Sequence, residues 1–193
     1  MRYSVTLFIL LFSITTCFSQ NKYEREHRIL KKQFPPEALA FISQKLESVK
    51  RIRFYKEIDS TKTRFEAKFK KDRLHYNLVF SKPGTLKAAG ITIKEIDIPS
   101  DSWDNVAGYL NRNFKKIRIK KIQQQYPVSP NTPPAKVLFD AFQNLLLPYL
   151  NYEVTFTGKK EMYHGEFEVL FDAQGNLIRI RKSLPANHDH VLY

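Results

Sequence analysis

The feature that most constrains this chain is a change of hydrophobic period near Arg51. Before it, apolar residues recur three or four positions apart at Leu39, Ile42 and Leu46, after a pair of prolines. This spacing places them on one face of a helix, and proline is tolerated in a first helical turn. The pattern therefore predicts a helix that starts at Pro35. After Arg51 apolar and polar residues alternate, which predicts strands that bury one face.

Four strands are predicted in this alternating part of the chain. The first contains Ile52 and Phe54, and the third ends at the turn residues Ser81 to Gly84. The apolar positions of the other strands are Phe65, Ala67, Phe69, Leu74, Tyr76, Leu78, Phe80 and the stretch 86–93. Because the turns are short, we expect antiparallel strands.

A similar pattern returns in the second half of the chain. Trp103, Val106 and Leu110 match Leu39, Ile42 and Leu46 at a constant offset. Further matches join 50–56 with 115–121, and Phe80, Gly84 and Leu86 with Phe171, Gly175 and Leu177. Since identity is low, the alternative is that any two α/β segments of similar length share such patterns. We predict an α+β fold of two tandem repeats, each a helix plus a four-stranded antiparallel sheet.

The predicted organisation places an extra helix, 135–147, in the second repeat. Its apolar stripe includes Val137 and Leu146, and Pro148 ends it. The predicted parts are a signal peptide at 1–19, a charged segment at 20–34, repeats at 35–98 and 99–184, and a tail at 185–193.

The first nineteen residues have the pattern of an export signal. Arg2 precedes an apolar run, 5–14, and the small residues Cys17 and Ser19 stand at the −3 and −1 positions before Gln20. The run is too short to span a bilayer, so we predict cleavage after Ser19, a periplasmic location and no transmembrane helix in the mature chain. The alternative is a lipid anchor on Cys17.

The charge of the chain narrows the class of partner. Its 193 residues include 32 Lys and Arg against 19 Asp and Glu, a formal net charge of +13. This excess favours an acidic protein or an anionic envelope component, whose identity stays open. Nucleic acid is a poor partner for an exported protein. The single Cys excludes a disulfide scaffold and a Cys-based zinc site, and we expect no cofactor.

Seven basic residues are the candidate binding residues, because they share the outward phase of three strands. They are Arg51, Arg53, Lys116, Arg118, Lys120, Arg179 and Arg181. If these strands are neighbours, the seven side chains form a cationic stripe across an open sheet face. The alternative is that such residues keep surface strands soluble and prevent edge pairing.

The chain has no motif of a known catalytic or metal site. The tail residues His188 and His190 lack a scaffold that could fix a metal geometry. Candidate carboxylates for a hydrolase are Glu166, Glu168 and Asp172, and the first two alternate with apolar residues on an exposed strand face. The segment that begins at Asp172 is typical of a hairpin turn, with Gly175 at positive φ. We predict no catalytic residues and no metal.

The leader, the helix followed by four strands, and the closing segments 151–156 and 167–177 resemble the PepSY-like periplasmic proteins. These are related in fold to the β-lactamase inhibitor protein. The resemblance implies two α/β units whose sheets make one curved surface, and a binding or inhibitory role without catalysis. The disulfides of the inhibitor have no counterpart in this chain.

The sequence therefore predicts a non-enzymatic exported protein that binds its partner through an open, basic sheet face. The alternatives are a hydrolase acting on envelope polymers, and a structural or lipoprotein role in the envelope.

Overall fold

The structure is a computed structural model, and it describes residues 20–22, 25–46, 49, 51–59 and 62–183. The predicted signal peptide, Cys17 and the predicted tail lie outside these residues. The helices are α1 (Pro36–Lys45), α2 (Ser100–Asn113) and α3 (Pro134–Phe142). The strands are β1 (Gln20–Lys22), β2 (Arg25–Ile29), β3 (Arg53–Asp59), β4 (Lys62–Lys71), β5 (Leu74–Ser81), β6 (Leu86–Ile93), β7 (Lys115–Pro127), β8 (Asn151–Lys160), β9 (Tyr163–Asp172) and β10 (Leu177–Ser183).

All ten strands belong to one sheet. From β2 to β10 each strand pairs antiparallel with the next one in the chain, and β1 adds to β10 in parallel. The prediction of two repeats, each with its own four-stranded sheet, is therefore wrong. The finding that overturns it is the ladder between β6 and β7, which runs from Ala88↔Pro127 to Ile93↔Ile122. Alternation predicts which face a strand buries, but main-chain pairing between two edges has no signature in side-chain pattern.

One hydrophobic core lies between the sheet and the three helices. The helix α3 packs on β6 and β7, in the middle of the sheet. Its last residue, Phe142, makes edge contacts with Tyr76 and Phe69, with ring centroids 5.3 and 6.4 Å apart. The predicted helix 135–147 thus ends early, and Leu146 is 56% exposed instead of continuing the apolar stripe.

Two turns that contain glycine pack against α1 and α2 and hold these helices on the sheet. Gly84 and Gly175 have φ of +95° and +82°, which confirms the positive φ predicted for Gly175. A Cβ on Gly175 would lie 2.3 Å from the carbonyl oxygen of Ser102, so the turn packs directly on the start of α2. The Ser102 hydroxyl donates a hydrogen bond to the carbonyl of Ala173 at 2.8 Å. Each such turn therefore requires glycine for its φ and for its close approach.

The sheet is strongly curled. Its outermost strands are β1 and β2, although Lys22 and Arg25 are only three residues apart. Three residues of chain reach about 11 Å at most, whereas the edges of a flat ten-stranded sheet would lie roughly 40 Å apart. The sheet must therefore curl until its two edges lie close together, which makes one of its faces concave.

Within the described ranges, no helix is long and apolar enough to cross a membrane.

Candidate binding groove

The sheet separates apolar from polar side chains by strand alternation. On β4, Phe65, Ala67 and Phe69 are buried in the core beneath the helices, so Glu66 and Lys68 lie on the opposite face. The other long strands follow the same rule. The face without helices is therefore lined by charged and amide side chains.

The curl of the sheet turns this polar face into a groove with two connected cavities. Their volumes are about 720 and 550 Å³. Both are lined by Lys68, Asn77, Lys121 and Gln123, so they are two ends of one groove. The larger cavity is lined by residues from every strand between β2 and β10.

The charges of Arg64 and Arg179 show how far the sheet has closed. Arg64 lies on β4 and Arg179 on β10, six positions away in the strand order. The pKa of Arg179 is lowered, first by burial and then by the charges of Arg181 and Arg64. Both side chains line the larger cavity, so the groove walls that carry these two strands face each other.

The larger cavity is called the mixed-charge end, because acidic and basic residues line it together. Lys68 forms ion pairs with Glu26 and with Glu66, the latter at 3.1 Å. Burial raises the pKa of Glu66, with further increases from Glu26 and Glu57, while Lys68 lowers it. Burial lowers the pKa of Lys68, but its carboxylate partners outweigh this and leave the pKa raised. Within this ion network Glu66 is buried, whereas Lys68 and Glu26 keep contact with solvent.

Three buried polar atoms on the same face have no hydrogen-bond partner among the described residues. They are Glu57 Oε1, Asn77 Oδ1 and Thr155 Oγ1. Leaving such an atom unsatisfied typically costs about 1–3 kcal/mol. The polar face is therefore not arranged for maximal folding stability.

The smaller cavity is called the cationic end. Its basic lining residues are Arg51, Arg53, Lys68, Lys70, His75 and Lys121, and none of its described lining residues is acidic. Lys68 also covers Tyr55, with its ammonium 4.5 Å from the ring centroid. Within the described part of the chain, no ion pair neutralises Arg51, Arg53, Lys70 or Lys121.

The seven predicted basic residues do not form one stripe. Three strands separate β3 from β7, so the strands that carry the predicted stripe are not neighbours in the sheet. Arg51 and Arg53 line the cationic end, while Arg179 and Arg181 line the mixed-charge end. The remaining three, Lys116, Arg118 and Lys120, are exposed on β7 and line neither end. That any of the seven binds a partner stays a prediction.

Sequence reasoning missed the groove residues on β4 and β7, namely Lys68, Lys70, Lys121 and Gln123. The alternation on β4 was already recognised and places Lys68 and Lys70 on the outward phase. The signal for these two residues is therefore present in the sequence. Lys121 and Gln123 follow an irregularity between Ile119 and Lys121, where the register of β7 with β8 shifts, so alternation from the start of β7 does not place them on this face.

The three candidate hydrolase carboxylates are already engaged in contacts. Glu166 forms an ion pair with Lys120. Asp172 accepts hydrogen bonds from the main-chain N–H groups of Gln174 and Asn176 at 3.0 and 2.8 Å, which closes the β9–β10 turn. Glu168 lines the mixed-charge end.

No protein-family model matches the chain, and no curated protein matches it. Solved structures do resemble it. A DUF2874 family protein from Bacteroides ovatus ATCC 8483 has a TM-score of 0.50 at 7% identity, over 77% of this chain and 87% of that protein. A Bacteroides eggerthii DSM 20697 protein, whose description proposes a periplasmic location, has a TM-score of 0.50 at 10% identity, over 80% and 93%.

A BLIP-like protein from Bacteroides fragilis NCTC 9343 has a TM-score of 0.48 at 10% identity, over 82% of this chain and 92% of that one, too low to support an inference. None of these similarities singles out the PepSY-like family that the sequence resembles. At such low identity they do not extend to activity or partners. The chain therefore shares the fold of the B. ovatus and B. eggerthii proteins.

Proposed function

We propose that this chain is an exported, non-catalytic binding protein whose groove holds a protein partner or an anionic component of the envelope. The observation that carries the proposal is the continuous groove along the helix-free face, with its cationic end open to a ligand.

The polar face supports binding because its features lower folding stability. Cations without an ion-pair partner among the described residues repel one another, and buried polar atoms without a hydrogen-bond partner among those residues are costly. A face selected only for folding would carry neither. The contacts of Glu166, Glu168 and Asp172 also favour binding over hydrolysis, because the carboxylates that a hydrolase would use are already engaged.

Export is supported by the predicted signal peptide and by the description of the B. eggerthii relative in fold. Intact-mass analysis of the protein isolated from its native host tests it. A chain that begins at Gln20 is expected. A diacylglyceryl adduct on Cys17 would establish the lipid-anchored alternative, and an uncleaved chain would contradict export.

A tryptophan in the groove floor tests the binding site. Gly90 lies on β6 between the two ends, and a Cβ there would meet its nearest atoms, Asn77 O and Gln123 Nε2, at an ordinary 3.6 Å. Gly90→Trp should therefore fill the groove without a main-chain clash. We expect it to abolish the retention of the protein on isolated envelope fractions in a sedimentation assay.

The matched control is Met162→Trp, which adds the same side chain at a position that is 92% exposed, in the turn between β8 and β9, and lines neither end of the groove. It should bind as the wild type does, and both variants should unfold cooperatively. Equal retention of all three proteins would show that the groove is not the binding site.

A further inference from the structure

We infer that the cationic end of the groove receives the acidic side chains of an extended segment of a partner protein. This inference rests on the proposed function and names the chemistry of its partner.

The positive charge of the cationic end favours the binding of an anionic ligand. Arg51, Arg53, Lys70 and Lys121 come from three different strands or their flanks, and no ion pair with a described residue compensates any of them. Their mutual repulsion falls when a ligand supplies negative charge. Guanidinium groups such as that of Arg53 bind carboxylates in a planar, bidentate geometry.

The lining does not suit a lipid or a sugar. The large apolar side chains that are exposed in the described ranges line neither end of the groove; they are Leu30, Ile58, Ile96, Phe139, Leu145, Leu146, Met162, Leu177 and Ile178. A bilayer would find no apolar anchor there. Tyr55 is covered by Lys68, and Tyr76 stacks on Phe69 at 5.3 Å beneath the groove floor. The tyrosine and phenylalanine rings among the described lining residues thus already pack against other side chains, which disfavours the stacking of a sugar ring or a base.

The side chains that line the groove do suit a peptide main chain. Asn77 and Gln123 line both ends, and Gln125 continues the row of amides into the mixed-charge end. Amide side chains donate and accept hydrogen bonds, as an extended main chain does at every residue. The groove thus offers amide partners along its floor and cations at one end, which is complementary to an extended acidic segment.

Fluorescein-labelled hexaglutamate is the probe for this inference, and hexaglutamine is its uncharged control. Hexaglutamate should bind the wild-type protein, with an affinity that falls as salt rises. Hexaglutamine should not bind measurably. Arg53→Ser combined with Lys70→Ser removes two cations from the groove and should weaken hexaglutamate binding about tenfold or more, the size expected for two charge-assisted contacts.

The matched control is Lys116→Ser combined with Arg118→Ser. It removes the same net charge from exposed positions that line neither end. Its affinity for hexaglutamate should stay within about twofold of the wild type, as for a distant charge screened by solvent. Equal weakening by both pairs would mean that net charge alone drives binding, and would overturn the inference.

Two further probes separate the sources of anionic charge. Phosphatidylglycerol vesicles and a sulfated polysaccharide should each compete poorly with hexaglutamate. Stronger binding of either would overturn the peptide assignment. If Gly90→Trp abolishes envelope retention while hexaglutamate fails to bind the wild type, this inference fails and the proposed function stands. If Gly90→Trp leaves retention unchanged, the proposed function fails first.

Discussion

The two faces of the single sheet differ at neighbouring residues of the same strands. On β8, Phe156 is fully buried against Phe114, the residue after α2. The preceding residue, Thr155, is buried on the groove face, and its hydroxyl has no partner among the described residues. The helix-covered face is apolar and continuous from one end of the sheet to the other. The groove face carries an ion network, together with cations and buried polar atoms that have no partner among the residues the structure describes.

This difference separates the residues that stabilise the fold from the residues that can serve a function. Burial of apolar surface on the covered face drives folding and needs no partner. The polar groups on the groove face oppose folding or contribute little to it, so their arrangement needs another explanation. A ligand in the groove supplies one. Substitutions on the two faces should accordingly have opposite or very unequal effects on stability.

The largest effect is expected on the covered face. Phe156 packs against Phe114 and Phe167, with ring centroids 4.9 and 5.7 Å away. Phe156→Ala would leave a cavity in the core and should lower the free energy of unfolding by about 3–5 kcal/mol. Urea denaturation measures this loss. A loss below about 1 kcal/mol would mean that the covered face does not carry the stability of the fold.

A smaller loss is expected at the mixed-charge end from Lys68→Met. Without Lys68, the buried Glu66 loses its ion-pair partner while Glu26 and Glu57 remain near it, so its pKa, already raised by burial, rises further. We expect a loss of about 2 kcal/mol near neutral pH, less than for a fully buried pair because Lys68 keeps contact with solvent. The loss should shrink as pH falls, since Glu66 then takes up a proton and needs no cation.

Lys70→Met is the control for this experiment. Lys70 lies on the same face of β4, two residues away, but is exposed and belongs to the cationic end. Its substitution should change stability by less than about 0.5 kcal/mol at any pH. Equal losses from the two variants would erase the distinction between the two ends of the groove.

The alternation on β4 and β9 shows how much of this arrangement the sequence could predict. The spacing of Phe65 and Phe69, or of Phe167 and Val169, predicts the covered face residue by residue, because period two is a local property. The turn at Gly175 is local for the same reason. The joining of β6 to β7 and the position of β1 beside β10 depend on main-chain pairing between distant residues, which leaves no mark on periodicity.

The groove was less predictable than the covered face because it too depends on pairing between residues that are distant in the sequence. Alternation assigns Arg53 and Lys70 to an outward phase, but the register shift between Ile119 and Lys121 hides the phase of Lys121. The grouping of Arg53 with Lys70 and Lys121 depends on strand order and curl. The proximity of Arg64 to Arg179 follows only from closure of the sheet. Charge pattern therefore predicted a basic binding face, but not which cations share a cavity.

The pH dependence of stability should change on substitution of Glu66. Burial raises the pKa of Glu66 in the folded protein above the ordinary value of 4.5. The stability linked to Glu66 is therefore fully present below pH 4.5, and it is lost as pH rises through the pKa of the folded state. Glu66→Gln removes this loss. The unfolding free energy of the variant should therefore fall less than that of the wild type as pH is raised from roughly 4 to 8. Parallel pH profiles would show that Glu66 is not desolvated in the folded protein.

The smallest effect is expected at Thr155, and its sign is what matters. The hydroxyl of Thr155 is buried without a partner among the described residues, and valine has the same branched shape with a methyl group in that place. Removing an unsatisfied polar group in this way is neutral or stabilising, by up to about 1 kcal/mol. Thr155→Val should therefore match or exceed the wild type in urea denaturation, although the adjacent Phe156→Ala is strongly destabilising. Thr155→Ser keeps the hydroxyl and serves as the control, which should gain nothing. If Thr155→Val instead lost about 1 kcal/mol or more, the hydroxyl would be contributing to the fold, and one of the costs that distinguishes the groove face from the covered face would disappear.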